Sequence, residues 1–111
     1  MYLQDEISIK ANDFNALCKA HNVRYLYAFG SSITRKFDSA TSDIDLLVDI
    51  DYSDPIEKGE QLISLWDTFE KFFKRKVDLL TEASIHNPYL RKSIDSTKVL
   101  IYDGAKQKVF V

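Results

Sequence analysis

The residue types best suited to chemistry lie in one stretch, from Gly30 to Val48. A Gly30-Ser31-Ser32 turn comes first, and after a polar segment the chain reads Asp43-Ile44-Asp45-Leu46-Leu47-Val48. Because side chains alternate faces along a strand, Asp43 and Asp45 are expected to point to the same side. Two neighbouring carboxylates repel each other, and a divalent cation between them reverses that cost. Ligation by oxygen alone suits Mg²⁺ or Mn²⁺, which bind one or two carboxylates together with substrate phosphates.

The glycine turn predicts a place for those phosphates. Arg24 to Phe29 has the composition of a strand, and Gly30-Ser31-Ser32 ends it. Glycine has no Cβ, so backbone N–H groups and the hydroxyls of Ser31 and Ser32 can approach an anion closely. Arg35, in the polar loop that follows, carries a charge that would neutralise phosphate, although a basic residue in a polar loop is equally well explained by solvation.

A third acid follows in Lys76-Val77-Asp78-Leu79-Leu80-Thr81, another short apolar run with a carboxylate near its start. If the two runs are neighbouring strands, Asp78 lies beside Asp43 and Asp45. Three carboxylates around two metal ions are typical of phosphoryl or nucleotidyl transfer, in which one carboxylate takes the proton of the attacking hydroxyl. An Asp-x-Asp pair alone is often a solvated strand end; the three motifs in this order favour a catalytic site.

Together these motifs resemble those of the minimal nucleotidyltransferases (MNT) of the DNA polymerase beta superfamily, which include MntA-like antitoxins of HEPN/MNT toxin–antitoxin systems. The resemblance extends from about Val23 to Tyr102. The matching segments are Phe29-Gly30-Ser31, Ser42 to Val48, Arg75 to Thr81, Asn87-Pro88-Tyr89-Leu90 and Val99 to Tyr102. The spacer before Asp43 is one residue longer than the usual one and lacks its glycine, which leaves the roles of Thr34, Arg35 and Lys36 open.

The resemblance implies an enzyme that moves AMP from ATP to a tyrosine hydroxyl of a partner HEPN toxin, acting as a type VII-like antitoxin. Its catalytic residues and metal ligands would be Asp43, Asp45 and Asp78, with two Mg²⁺ ions expected and Mn²⁺ as a substitute. The nucleotide would contact Gly30, Ser31, Ser32, Ser42 and Arg35.

Two alternatives stay open. The chain could neutralise its partner by occlusion without catalysis, or it could transfer a nucleotide to a small hydroxylated molecule. The retention of three neighbouring acids favours catalysis over occlusion, because unpaired carboxylates are otherwise only a cost. The length of 111 residues leaves no room for a second domain that would hold a small acceptor.

The composition indicates one globular domain spanning residues 1–111, with 45% apolar residues and a formal charge of −2. That charge makes no strong case for direct nucleic-acid binding or for an anionic membrane as partner. Cys18 is the single cysteine, which excludes an internal disulfide and fits a reducing compartment. No apolar run approaches the roughly 20 residues of a membrane-spanning helix. We therefore expect a cytoplasmic protein; a homo-oligomer is compatible with the sequence.

The hydrophobic pattern predicts an α/β (α+β) fold with a small mixed sheet flanked by helices, largely on one face, of the polymerase-beta type. Helices are predicted from Asn12 or Asp13 to His21, from Pro55 to Phe73 or Lys74, and from Asn87-Pro88 to Ile94. Strands are predicted at Val23–Phe29, Asp43–Ile50, Lys76–Thr81 and Val99–Tyr102. Met1 to Lys10 is expected to be an extended lead-in, and Ala105 to Val111 a hairpin arm or a loose tail.

The long helix should contribute a large part of the core. Its apolar residues at helical spacing are predicted to be buried: Ile56, Leu62, Ile63, Trp66, Phe69 and Phe73. Gly59 lies inside this helix at a cost of about 1 kcal/mol relative to alanine, which suggests that another backbone packs against it. Arg91 and Lys92, on the short helix, are placed to reach toward a nucleotide phosphate.

Overall fold

The computed structural model describes residues 3–33 and 43–110. The predicted phosphate contacts Arg35 and Ser42 lie outside the described residues, as do Thr34 and Lys36. The helices are α1 (Leu3–Ile9), α2 (Ala11–Ala20), α3 (Pro55–Phe73) and α4 (Pro88–Thr97). The strands are β1 (Val23–Ala28), β2 (Ile44–Ile50), β3 (Val77–Leu80), β4 (Val99–Asp103) and β5 (Lys108–Val109). Two single 3₁₀ turns cover Gly30–Ile33 and Glu82–Ser84.

The strands form one mixed sheet in the order β3-β2-β1-β4-β5. The β2–β3 pair is parallel, and the other three pairs are antiparallel. The mixed α+β sheet predicted from the sequence is therefore confirmed. Because β1, β2 and β3 are neighbours, the three strands that carry or precede the candidate catalytic residues lie side by side.

The main core lies between one face of this sheet and helices α1, α2 and α3. From β2 it takes every second residue, Ile44, Leu46, Val48 and Ile50, and from the helices it takes Leu3, Ile7, Phe14, Cys18, Leu65 and Phe69. The intervening residue Leu47 packs on the opposite face with Phe29 and Ile94 of α4. Asp45 and Asp49 lie on the same face of β2 as Leu47. Because the residues between them point into the main core, Asp45 lies on the opposite face of the sheet, which α4 only partly covers.

The prediction of an extended lead-in at residues 1–10 was wrong, because Leu3 to Ile9 forms a helix. Leu3 and Ile7 are four residues apart, so both lie on one helical face and both are fully buried, whereas Ile9 is exposed. The next helix begins at Ala11, and its N-cap Lys10 makes no side-chain capping bond, so neither Asn12 nor Asp13 is the cap.

Helix α3 begins as predicted: Asp54 is the N-cap, its carboxylate accepts the Glu57 N–H at 3.3 Å, and Pro55 takes the first turn. Its predicted core face was only partly correct. Leu65, Phe69 and Phe73 are buried, but Ile56, Ile63 and Trp66 are exposed. The sheet and α2 cover only part of the helix circumference, so apolar residues outside that arc stay in solvent. The expected close backbone at Gly59 is also absent, since nothing lies within 4 Å of a Cβ built there.

The C-terminal segment forms the hairpin arm, with β5 antiparallel to β4. Helix α4 continues past the predicted end at Ile94 to Thr97. Asp103 Oδ1 accepts the Ala105 N–H at 2.9 Å and so stabilises the connecting turn. None of the helices in the described ranges is long and apolar enough to cross a membrane.

Candidate active site

Two of the three predicted acids lie side by side. In the parallel pairing of β2 and β3, Asp45 is the register partner of Asp78. Their neighbours Ile44, Leu46, Val77 and Leu79 point into the main core. Because side chains alternate between the two faces of a strand, both carboxyls therefore lie on the other face of the sheet. The sequence predicted this meeting only on the condition that the two runs are adjacent strands.

The side chain of Asp45 is electrostatically unfavourable as a carboxylate. Burial, followed by the charges of Asp78 and Asp43 and a hydrogen bond with the Asp78 side chain, raises the pKa of Asp45 to about 6. Each of these effects favours the protonated form, because each penalises an additional negative charge. A cation bound at this position would act in the opposite direction.

Asp43 is placed differently. It is exposed and directly precedes β2, yet it lies close enough for its charge to contribute to the raised pKa of Asp45. Within residues 3–33 and 43–110, no three acidic, histidine or cysteine side chains converge in an arrangement ready to hold a metal ion. The structure thus brings Asp45 and Asp78 together and leaves Asp43 at the margin, and the three-carboxylate metal site stays a prediction.

Gly30 lies directly against Asp45. Its φ of +63° is in the left-handed region, and a Cβ built on it would lie 3.1 Å from Asp45 Oδ2. Any side chain here would be strained by the backbone and would crowd the carboxylate. The Gly30 N–H, however, is used within the protein: it donates to Thr97 Oγ1 at 3.1 Å, and Thr97 Oγ1 in turn donates to the Ser93 carbonyl at 2.7 Å.

Ser32 fixes the backbone of Asp45. It is fully buried, and its Oγ accepts the Asp45 N–H at 2.8 Å. On the other side of the same residue, the Asp45 carbonyl accepts the Phe29 N–H at 3.1 Å. Ser31 lies in the same 3₁₀ turn, between Gly30 and Ser32. Direct contacts of Ser31 and Ser32 with a phosphate stay predictions.

These residues line a cleft of about 380 Å³ that holds both paired acids. Asp45 and Asp78 form its floor with Gly30, while Trp66 of α3 and Leu90 and Ser93 of α4 contribute its sides. A larger depression of about 490 Å³ lies at the other end of β1, near Asn22 and Gly104. It contains one acid, Asp51, which is paired with Arg24, and therefore offers no comparable chemistry.

Several other candidates are occupied elsewhere. Arg91 forms ion pairs with Glu82 and Asp95, so its guanidinium is held on the outside of α4. Asp49, which shares the parity of Asp45, pairs with Arg24 at 3.5 Å and Lys58 at 3.3 Å, as expected for an acid too far along β2 to join the site.

Sequence reasoning missed Trp66, which lines the cleft, and Thr97, whose hydroxyl oxygen accepts the Gly30 N–H. Trp66 was predicted to be core, although a tryptophan interrupting the polar face of a helix is itself a signal. Thr97 offered no signal, because its contact with Gly30 spans 67 residues of sequence.

The donor set fits a divalent cation. Asp45 and Asp78 supply carboxylate oxygens, the ligands that Mg²⁺ and Mn²⁺ prefer, and the mutual repulsion at Asp45 is the cost that such a cation removes. The absence of a Cβ at Gly30 leaves open the approach to Asp45 Oδ2.

Comparisons with known proteins agree with this geometry. Residues 12–107 match the family model described as Polymerase beta, Nucleotidyltransferase. Among curated proteins, "Putative protein adenylyltransferase MJ0126" of Methanocaldococcus jannaschii is 41% identical over 85 residues, which are 77% of this chain and 83% of the relative.

The fold is also found in solved structures. A minimal nucleotidyltransferase is similar with a TM-score of 0.58 and 24% identity, over 89% of this chain and 95% of that one. A toxin–antitoxin complex with AMP-PNP gives 0.54 and 20%, over 86% and 82% of the two chains. A complex of a tri-AMPylated Shewanella oneidensis HEPN toxin with an MNT antitoxin gives 0.50 and 20%, over 89% and 74%. At these identities the likeness shows the polymerase-beta-type nucleotidyltransferase fold.

Proposed function

This chain belongs to the polymerase beta nucleotidyltransferase family, and on that premise we propose that it is a protein adenylyltransferase, moving AMP from ATP to a hydroxyl of a partner protein. The observation that carries the proposal is the placement of Asp45 beside Asp78 in parallel register, with Gly30 against the Asp45 carboxylate. The name of the archaeal relative supports transfer to a protein, and the complex with AMP-PNP supports an adenine nucleotide.

In the proposed reaction the acceptor oxygen attacks the α-phosphorus of ATP. The new phosphorus–oxygen bond forms as the bond to the bridging oxygen breaks, and pyrophosphate leaves. Asp78 takes the proton of the acceptor hydroxyl, because it lines the cleft beside Asp45. Asp45 holds its position through Ser32 and Phe29 and orients the nucleotide from a rigid backbone.

Asp43, Asp45 and Asp78 would hold two divalent ions, with Mg²⁺ preferred and Mn²⁺ as a substitute. Such ions supply charge neutralisation for the phosphates and an easier deprotonation of the hydroxyl. Gly30, Ser31 and Ser32, with Ser42 and Arg35, would contact the phosphates.

The partner that we propose is a HEPN-domain toxin, silenced by adenylylation of a tyrosine hydroxyl in the cytoplasm. The support is the fold shared with an MNT antitoxin whose HEPN toxin partner is AMPylated. The chain would then act as the antitoxin of a toxin–antitoxin pair.

The test is to incubate the purified chain with the product of its neighbouring gene, Mg²⁺ and ATP labelled at the α-phosphate. Wild type should transfer label to that protein. Asp45→Asn and Asp78→Asn should each lower transfer by about 10²-fold or more, since general-base loss alone has that magnitude. Asp49→Asn is the matched control, because Asp49 lies on the same strand and parity but pairs with Arg24 and Lys58.

A second readout separates catalysis from occlusion. Asp78→Asn is co-expressed with the toxin at a stoichiometric level, and growth is scored beside adenylylation. Growth rescued without any adenylylation would overturn the catalytic proposal and establish occlusion instead.

A further inference from the structure

Helix α3 carries an exposed apolar row beside the face that packs into the core. Ile56 and Ile63 are 73% and 71% exposed, and Trp66 is 40% exposed. With Gly59 these residues form the α3 seam (Ile56, Gly59, Ile63 and Trp66). The neighbouring face of the helix already supplies the core through Leu65, Phe69 and Phe73. Large apolar side chains aligned on one exposed face are uncommon unless a partner covers them.

The spacing of the α3 seam is that of helix–helix packing. Steps of three, four and three residues separate its members, which is the pattern of a seam that accepts a second helix. At a rise of 1.5 Å per residue the row is about 15 Å long, which matches roughly ten residues of a partner helix.

Gly59 supports a close approach. A Cβ built on it meets nothing within 4 Å among residues 3–33 and 43–110, so no contact with these residues requires a glycine there. Glycine weakens a helix interior, and a residue retained against that cost needs a reason outside the chain. Its missing side chain leaves a notch between Ile56 and Ile63, where another backbone can approach at a short interaxial distance.

The seam leads directly to the candidate active site. Trp66 is its last member and also lines the cleft that holds Asp45 and Asp78. The indole Nε1–H donates to the Val77 carbonyl at 2.6 Å, so the ring is anchored to the strand that carries Asp78. A protein bound along the seam therefore reaches the cleft that holds Asp45 and Asp78. We infer from this that the protein bound at the seam is the acceptor of the reaction.

The charges beside the seam indicate the chemistry of that occupant. Glu60 and Asp67 follow Ile56 and Ile63 by four residues, so they border the seam on its outer side. Both are exposed. An amphipathic helix with an apolar ridge and basic residues along one flank is complementary to this surface.

We propose that the α3 seam is the docking surface for the acceptor protein, through an amphipathic helix with a basic flank that delivers the acceptor hydroxyl to Asp45 and Asp78. The proposal rests on the proposed function, because it places the acceptor of that reaction.

The experiment uses the full chain and the HEPN protein encoded beside it. The test variants are Ile63→Arg, which places a charge in the seam, and Gly59→Leu, which fills the notch. Ile9→Arg is the matched control, because Ile9 is equally exposed, at 74%, on a different helix. Gly59→Ala serves as the folding control, since it improves helix propensity while filling little of the notch.

Binding of the HEPN protein and of Mg²⁺-ATP is measured separately by calorimetry, and adenylylation is measured as KM for the acceptor and kcat. Both seam variants should weaken HEPN binding and raise its KM by about tenfold or more, the effect expected for a central interface residue. The affinity for Mg²⁺-ATP and the circular-dichroism spectrum should stay at wild-type values. Ile9→Arg and Gly59→Ala should behave as wild type in HEPN binding.

The outcomes separate the two proposals. If wild type adenylylates the HEPN protein and Ile63→Arg and Gly59→Leu do so with unchanged KM, the docking surface is overturned and the function stands. If the HEPN protein binds through the seam but receives no AMP, the docking surface stands and the function is overturned. If no binding occurs, both are overturned. If sedimentation shows that wild type dimerises and Ile63→Arg does not, the seam joins two copies of this chain and the docking proposal is overturned.

Discussion

Asp45 is held through its backbone, because Ser32 Oγ accepts its N–H and its carbonyl accepts the Phe29 N–H. Its side chain shares a hydrogen bond with the other acid of the pair. It faces Asp78 in register and lies within reach of the charge on Asp43. A rigid main chain thus presents a carboxylate in an unfavourable setting, as is common where a site is built for a ligand rather than for stability.

The raised pKa of Asp45 predicts a pH dependence of stability. With a folded pKa of about 6 against an ordinary 3.8, the folded state binds the proton more tightly than the unfolded chain. The stabilising contribution is therefore complete below the unfolded pKa and is lost as pH rises through about 6. Asp45→Asn removes it. The free energy of unfolding of wild type relative to Asp45→Asn should fall by about 1 kcal/mol between pH 4 and 7, after allowance for solvent screening.

Urea unfolding across this pH range measures the difference. A wild-type minus Asp45→Asn difference that stays constant from pH 4 to 7 would contradict the electrostatic account of the pair.

Thr97 is predicted to position the Gly30 turn. Its Oγ1 accepts the Gly30 N–H, and the valine in Thr97→Val has the same shape without that acceptor. A buried backbone N–H left unpaired costs about 1–3 kcal/mol, so the turn should shift away from Asp45. We expect KM for ATP to rise about tenfold in Thr97→Val, in line with that cost, and Thr97→Ser to restore it. A loss of thermal stability with unchanged KM would show that Thr97 supports the fold alone.

At the scale of elements, α3 has two apolar faces with different roles. Leu65 and Phe69 pack into the main core, whereas Ile63 faces solvent. A pattern of apolar residues at helical spacing does not distinguish them, because both sets repeat with the same period. The distinction depends on which arc of the helix the sheet and α2 cover.

A pair of alanine substitutions tests this division. Leu65→Ala should lower the free energy of unfolding by about 2–5 kcal/mol, because it opens a cavity in a fully buried position. Ile63→Ala, two residues away on the exposed face, should change it by less than about 0.5 kcal/mol. Chemical unfolding of the two variants side by side measures both values. Equal losses would mean that the outer face of α3 is packed in solution.

At the scale of the molecule, the sheet order assembles the site. The parallel β2–β3 pair requires a crossover, which α3 supplies, and that crossover places Asp78 beside Asp45 although they are 33 residues apart. Helix α4 then closes the far side through Thr97 and Ile94. Helix α3 also contains Trp66, which lines the cleft. The crossover that places Asp78 beside Asp45 therefore contributes a residue to the wall of the cleft as well.

A ligand that binds only this assembled arrangement should stabilise the whole fold. At a concentration of Mg²⁺-ATP about 100-fold above its Kd, the stabilisation is about 2.7 kcal/mol, which corresponds to a rise in Tm of about 10 °C for a chain of this size. The double variant with Asp43→Asn and Asp45→Asn should lose most of this rise. Differential scanning fluorimetry with and without Mg²⁺-ATP measures it, and an identical rise in both proteins would remove the acids from the nucleotide site.

Much of this architecture is determined by local sequence. Asp54-Pro55-Ile56-Glu57 begins α3 where predicted, since a side-chain cap and a proline in the first turn act within four residues. Apolar residues precede and follow Asp45 and Asp78 along their strands. Because those apolar residues must be buried, the two carboxyls lie on the other face of the sheet. Glycine at residue 30 is explained by its backbone, which takes a φ of +63°. These predictions succeeded because the forces behind them are short-ranged.

Tertiary structure decided what local sequence could not. Residues 3–9 are helical because Leu3 and Ile7 find a core supplied by α2 and α3, and a weak local pattern does not reveal that core. Ile63 stays exposed and Leu65 is buried because the rotation of α3 is set by its neighbours. Ser32 faces Asp45, and Thr97 holds Gly30, only after the sheet has formed. Contacts that cross tens of residues depend on chain topology, and no pattern within a few residues encodes which distant side chain will complete a hydrogen bond.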